Sequence, residues 1–167
     1  MQHVVFRLKD SLPRDVVLQL RLIGKTHRLH RIDSALDAGH GTRLLADPRC
    51  AQVVVDALHH FDGERYCLVA WCVMPTHVHV VVEPQSDHAL GAIVKSWKAY
   101  SAVEINKTLG RAGPLWAVDY FDRFMRDDDQ LSATIAYVED NPVAAELVAT
   151  SAEWPFSSAA ERATLRA

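Results

Sequence analysis

Trp71-Cys72-Val73-Met74-Pro75-Thr76-His77-Val78-His79-Val80-Val81-Val82 places two strand-forming runs on either side of a three-residue break. Tyr66 to Val73 and His77 to Glu83 are rich in β-branched and aromatic side chains, which pack well on a pleated surface. The Met74-Pro75-Thr76 connection is short enough to suit an antiparallel pair, and this pair is expected at the centre of the sheet. Residues two apart in a strand share a face, so His77 and His79 project from one side while Val78, Val80 and Val82 face the other. Two imidazoles on one face make a metal clamp. On spacing alone, two incidental histidines on a polar face fit the pattern as well.

Toward the N-terminus, His3 to Lys9 reads as a first strand, and Ser11 with Pro13 starts a helix running to about Gly24. The stretch from Thr26 to Leu45 carries no clear period. Asp47 and Pro48 open a further helix, with Val54, Val55, Leu58 and Phe61 at helical spacing before Asp62 and Gly63 end it. Beyond the hairpin, a long helix is expected over Leu90 to Leu109, stopped by Gly110 and Gly113. Tyr120 to Arg126 reads as a last strand, followed by a helix beginning near Asp129. The order strand, helix, strand, strand, helix, strand is that of a ferredoxin-like α+β sandwich: an antiparallel sheet with helices packed on it, plus an extra C-terminal helix.

Composition bounds the reading. A chain of 167 residues with 49% hydrophobic content is the right size for one core, and it shows no repeat, low-complexity tract or Gly/Ser linker, so residues 1–167 are read as one domain. No apolar run approaches the roughly 18 residues of a membrane span, and Arg7 with Lys9 interrupts the only apolar run near the N-terminus. A cytoplasmic protein without membrane contact is expected. Cys50, Cys67 and Cys72 lack metal or redox spacing and are read as buried reduced thiols.

The net charge of −3 speaks against a nucleic-acid partner, but the charge is unevenly spread. Arg7, Lys9, Arg14, Arg21, Lys25, Arg28 and Arg31 stand against only Asp10 and Asp15 in the first 31 residues, a net +5 that leaves −8 for the rest. A second group, Lys95, Lys98, Lys107 and Arg111, interleaves Trp97 and Tyr100, a mixture suited to backbone contact and base stacking. A solvated helix face accounts for the charges equally, and Trp97 and Tyr100, beside Ile93 and Val94, also read as partly core.

The run Ile135-Ala136-Tyr137-Val138-Glu139-Asp140-Asn141-Pro142-Val143 puts Tyr137 and Asn141 one helical turn apart, on the same face. Pro142 restrains Asn141 away from the α region and is expected to end or kink the helix there. By itself the run reads as a core aromatic followed by a helix stop.

Taken together, Trp71 to His79, Tyr137 with Asn141-Pro142-Val143, and the closing Glu153-Trp154-Pro155-Phe156-Ser157-Ser158 resemble the REP-associated tyrosine transposases, relatives of the single-tyrosine, IS200-like insertion-sequence transposases of the HUH class. The likeness begins at His3-Val4-Val5-Phe6-Arg7-Leu8 and runs nearly end to end. It implies that His77 and His79 are metal ligands, that Tyr137 on the C-terminal helix is the nucleophile, and that Asn141 is the third ligand. It also implies Mg²⁺ or Mn²⁺ as cofactor, single-stranded or hairpin DNA as partner, a 5′-phosphotyrosine intermediate with a free 3′-hydroxyl, and leaves homodimerisation open. Arg7, Lys95, Trp97, Lys98, Tyr100, Arg123 and Arg126 are the candidate DNA contacts.

Two departures stand out. Where the family shows Trp-Gln-Arg-Asp/Glu-Tyr, this chain has Trp116-Ala117-Val118-Asp119-Tyr120; and Glu146 replaces the usual Gly before Leu147, where a tight turn would resist a Glu. They motivate a rival reading as a silent module that binds hairpins without cutting. A second rival is a hydrolase in which metal-bound water attacks.

Overall fold

A computed structural model describes residues 1–22, 31–32, 35–36 and 40–165. Four strands, β1 (Gln2–Arg7), β2 (Tyr66–Val73), β3 (His77–Pro84) and β4 (Phe121–Phe124), form one antiparallel sheet in the order β2-β3-β1-β4. Helices α1 (Arg14–Leu22), α2 (Pro48–His59), α3 (Leu90–Thr108), α4 (Asp128–Ala144) and α5 (Ser158–Leu165) accompany it, with short 3-10 turns at Leu44–Ala46 and Ser151–Glu153. Strand order and helix placement are those of the expected ferredoxin-like sandwich, but the central pair is β3 and β1, and β2, expected at the centre, lies at the edge. The expected helix end near Gly24, much of the Thr26 to Leu45 stretch, Lys25, Arg28 and the side chains of Arg14 and Arg21 lie outside the described residues.

Alternation along the strands sorts the molecule into two faces. On one, Val4 and Phe6 of β1, Val78, Val80 and Val82 of β3, and Trp71 and Val73 of β2 pack with Val54 and Leu58 of α2 and Ile93, Val94 and Trp97 of α3. Each fully buried Val or Leu contributes roughly 1.5–3 kcal/mol over its exposed state, so this face dominates stability. The other face carries His3, Val5, His77, His79, Ala70, Cys72 and Val81. Helix α4 covers its β2 side through Val138 and Ile135. Val16 and Val17 of α1, with Ile32 and Leu36, cover Val5 and Phe121 on its β1–β4 side.

β4 is shorter than the expected Tyr120 to Arg126. Its neighbour among the described residues, β1, begins at Gln2, so pairing ends at Gln2–Phe124, and the Met125 N–H closes on the Met1 carbonyl at 3.1 Å. Asp127 then caps α4 by accepting from the Gln130 N–H at 2.8 Å, which sets the helix start where the acidic run predicted.

The end of α4 corrects the expectation. Pro142 lies inside the helix, which runs on to Ala144 and closes in a Schellman turn: the Leu147 N–H bonds the Pro142 carbonyl at 2.9 Å and the Glu146 N–H bonds the Val143 carbonyl at 3.0 Å. Pro142 forfeits the bond its own N–H would have made to the preceding turn, and the residues after it still bond onward, the Ala145 N–H to the Asn141 carbonyl at 3.0 Å. The turn places Glu146 at φ 56°, so the tight turn survives with a non-glycine residue in the left-handed region, at a cost of about 1–2 kcal/mol. Cys50 and Cys72 are buried as expected, whereas Cys67 is exposed, because it pairs with the exposed Glu83 at the end of the sheet.

The closing Trp-Pro-Phe-Ser-Ser run lies along the outer edge of β2. Val73 donates to the Phe156 carbonyl at 2.9 Å, the Trp154 indole donates to the Val73 carbonyl at 3.0 Å, and the Trp71 N–H donates to Ser158 Oγ at 3.1 Å. Ser158 in turn donates to Glu139 of α4 at 2.6 Å, and Arg162 pairs with the same carboxylate. Backbone groups that would lie open on an edge strand are thereby satisfied, and α4 is tied to the sheet two residues from Tyr137.

Candidate active site

The β3 register sets the centre of the site. His77 and His79 rise from one face with their Nε2 atoms 3.0 Å apart. Pairing of β1 with β3 sets His3 opposite Val81 and Val5 opposite His79, on the same face, and His3 reaches along it to His79. His3 Nε2 lies 3.1 Å from His79 Nδ1, and the two rings stack with centroids 5.4 Å apart. At the other end, Thr76 Oγ1 is 2.9 Å from His77 Nδ1. Thr76, His77, His79 and His3 thus form one hydrogen-bonded chain, all of it buried.

Burial controls the charge of this chain. Removal from water is the main cause holding all three imidazoles below the usual histidine range, bringing His79 down to about 3; the nearby His79 ring lowers His77 and His3 further, and Arg123 adds to the effect on His3. At neutral pH each ring is therefore uncharged, with one N–H and one lone pair. If Thr76 accepts from His77 Nδ1 and His3 accepts from His79 Nδ1, both Nε2 lone pairs face a common point.

Such a point fits a divalent cation. Two nitrogens 3.0 Å apart span the edge of a coordination sphere with metal–ligand bonds of about 2.1 Å. Among the described residues no group of three His, Cys, Asp and Glu side chains is placed to hold a metal, so a third protein ligand has to come from another residue type. His3 does not supply it, since it meets His79 at Nδ1, the ring nitrogen on the far side from His77. Asn141 is buried on α4, one turn beyond Tyr137, and its Nδ2 points back to the Tyr137 carbonyl at 3.4 Å. The amide oxygen is then the atom with which Asn141 would hold an ion.

Tyr137 stands at the rim. It is 38% exposed, and its ring is edge-on to His79 and to His3, with centroids 6.1 and 6.2 Å away. A side chain half in water and half against the imidazoles can meet a ligand arriving from solvent. Exposed Arg123 stands opposite His3 in the β1–β4 pairing, and Arg43 lines a cavity of about 100 Å³ with His77, Thr76, Pro75 and Leu147.

Several expected DNA contacts lie elsewhere. Trp97 is buried in the apolar core, donating from its indole to Tyr66 Oη at 2.8 Å, and cannot stack on a base. Lys98 donates to the carbonyls of Ala117, Val118 and Asp119 at 2.7, 3.0 and 3.3 Å, so its charge organises a loop. Arg7 is only 5% exposed and pairs with Asp119 at 3.6 Å. Lys95 and Tyr100 are exposed, but on α3, which packs against the opposite face of the sheet. Arg126 is exposed just ahead of the α4 cap, on the connection that follows β4 and its Arg123. Sequence reading passed over His3, Thr76 and Arg43; the His3-Val4-Val5-Phe6 alternation held the signal for the first, without the strand partner needed to interpret it.

With this geometry established, comparison with known proteins places the chain. The sequence profile of the family described as "Transposase IS200 like" matches residues 46–141, more than half of the chain. The chain belongs to the IS200-like transposase family. The matched segment contains His77, His79, Tyr137 and Asn141, and excludes His3 and the Trp154 to Ser158 run. A Haemophilus influenzae protein named as a REP-associated tyrosine transposase is 25% identical over 100 residues, covering 54% of this chain and 57% of its own length. The chain thus spans little more than half of that relative. A solved structure of a REP-associated tyrosine transposase bound to a REP hairpin aligns over 94% of this chain and 74% of its own at a TM-score of 0.63 and 18% identity, which supports the fold of this IS200-like chain. No helix among the described residues is long and apolar enough to cross a membrane.

Proposed function

We propose that this IS200-like chain cuts and rejoins single-stranded DNA beside a hairpin, with Tyr137 as the nucleophile. The observation that carries the reading is the position of Tyr137, half-exposed and edge-on to buried His79, whose Nε2 lies 3.0 Å from that of His77. A tyrosine hydroxyl has a reference pKa of about 10 and needs help to attack at neutral pH. Mg²⁺ or Mn²⁺ held by His77, His79 and Asn141 would act as a Lewis acid, stabilising the charge that develops on the phosphoryl oxygens.

The chain's own residues supply the rest. The Tyr137 oxygen bonds to phosphorus as the bond from phosphorus to the 3′ oxygen breaks; the phenolic proton leaves, and the 3′ oxygen is released as a hydroxyl. The result is a 5′-phosphotyrosine, and attack by another 3′-hydroxyl reverses the step and joins strands without a nucleotide cofactor. Ser158 and Arg162 hold Glu139, which fixes α4 and keeps Tyr137 in register with the histidines. Arg123, Arg126 and Arg43 sit where they can bind flanking phosphates. Hairpin DNA is the substrate favoured by the likeness to the hairpin-bound transposase.

One observation favours the silent-module rival: Val118 is completely exposed, and apolar, where the family pattern has a basic residue. Chelation separates the readings. Purified protein with labelled hairpin oligonucleotides should cleave with Mn²⁺, stop with EDTA, and stay inactive when His77→Ala is supplied with Mn²⁺. A hairpin shift on a native gel with no cleavage under Mg²⁺ or Mn²⁺ would instead establish the binding module.

A further inference from the structure

We propose that His3 is a positioning residue, whose Nε2 accepts the His79 Nδ1–H and so holds the His79 Nε2 lone pair toward the point it shares with His77. The inference rests on the metal-dependent reading above and deepens it by assigning a role to a residue outside the family-matched segment.

Three neutral imidazoles carry one N–H each, and the contacts join Thr76 Oγ1 to His77 Nδ1, His77 Nε2 to His79 Nε2, and His79 Nδ1 to His3 Nε2. A cation between the two Nε2 atoms requires both to be unprotonated. His77 must then carry its proton on Nδ1, where Thr76 Oγ1 accepts it, and His79 must carry its own on Nδ1. His3 Nε2, 3.1 Å from that atom, is placed to accept the proton. Without a cation, a proton on either Nε2 relieves the facing lone pairs; if it is that of His79, the direction of the last bond reverses and His3 Nε2–H donates. An imidazole serves both arrangements. A phenyl ring at this position serves neither, and an amide serves both.

The stacking of His3 on His79 gives the contact a fixed ring orientation, and the β1–β3 pairing fixes the backbone beneath it. This is the arrangement by which a partner behind a metal-bound imidazole sets its tautomer, and loss of such partners typically weakens metal binding 10- to 100-fold.

The test is Mn²⁺ affinity, read by the loss of the free-ion electron paramagnetic resonance signal, for the wild type, His3→Phe and His3→Gln, with thermal melts in EDTA to establish folding. The expected result is a 10- to 100-fold weakening in His3→Phe and recovery to within about 3-fold of wild type in His3→Gln. Wild-type affinity in a folded His3→Phe, or equal weakening in both variants, overturns the assignment. Should His3→Phe not fold, proton–nitrogen correlation spectra of wild-type protein with Zn²⁺ decide: the His79 proton on Nδ1 supports the inference, and its absence there overturns it. Wild-type protein that binds neither ion fails the metal reading itself, and this inference with it.

Discussion

The two faces of the sheet are made from alternate residues of the same strands, yet they are built to opposite rules. On the face under α2 and α3, Val4, Phe6, Val78, Val80 and Trp97 pack as apolar side chains, and polar atoms among them satisfy one another: the Trp97 indole bonds Tyr66 Oη, which bonds the Leu58 carbonyl, while the Trp116 indole bonds Ser101 Oγ. On the face under α4, three imidazoles are buried in a chain that has lone pairs to spare. A period of two lets one set of strands carry a stability layer and a chemical layer, and the first makes the second rigid.

Three perturbations probe that division, in descending order of effect. Trp97→Ala should cost about 3–5 kcal/mol in urea unfolding, through the cavity it leaves and the lost bond to Tyr66. A cost under about 1 kcal/mol would mean that the apolar face does not dominate.

Acid should then single out the histidine face. The folded-state pKa values of His3, His77 and His79 are depressed, so below about 6.5 the unfolded chain binds more protons than the folded one. In EDTA, stability is expected to be fully present above pH 6.5 and to fall toward pH 3, near the folded value for His79, by about 1.4 kcal/mol per pH unit for each imidazole that the fold keeps neutral. Replacing His3, His77 and His79 with apolar residues should flatten most of that slope; a slope that persists would place the acid sensitivity elsewhere.

The smallest effect belongs to neither face. Glu146→Gly should raise stability by about 1 kcal/mol by relieving the left-handed backbone at φ 56°, with no change in cleavage. A loss of stability would show that the Glu146 side chain compensates for its own strain.

What was legible in the sequence follows the same physics. The β2–β3 hairpin and the shared face of His77 and His79 are consequences of a two-residue period and a short connection, both local. The role of His3 was not legible, because it depends on β1 pairing with a strand more than 70 residues away, and no local pattern states that register. Trp97 and Tyr100 show the limit of composition: three residues apart on one helix, one is buried and the other exposed, and the mixture of aromatic and basic residues hid the difference. Pro142 misled for a related reason: the bond it forfeits runs back to the preceding turn, while the residues after it still bond onward, as the Ala145 N–H does to the Asn141 carbonyl at 3.0 Å. The Glu146 substitution was visible; that the turn would form regardless was decided by the bonds of Glu146 and Leu147 to the end of α4.

The most direct test of the central claim is a denaturing gel of wild type and Tyr137→Phe, each incubated with Mn²⁺ and a labelled single strand containing a hairpin and its flanking segment. A covalent protein–DNA band in the wild type, absent in Tyr137→Phe while hairpin binding persists, is the predicted result. Cleavage that survives in Tyr137→Phe would contradict the account and assign the attack to water.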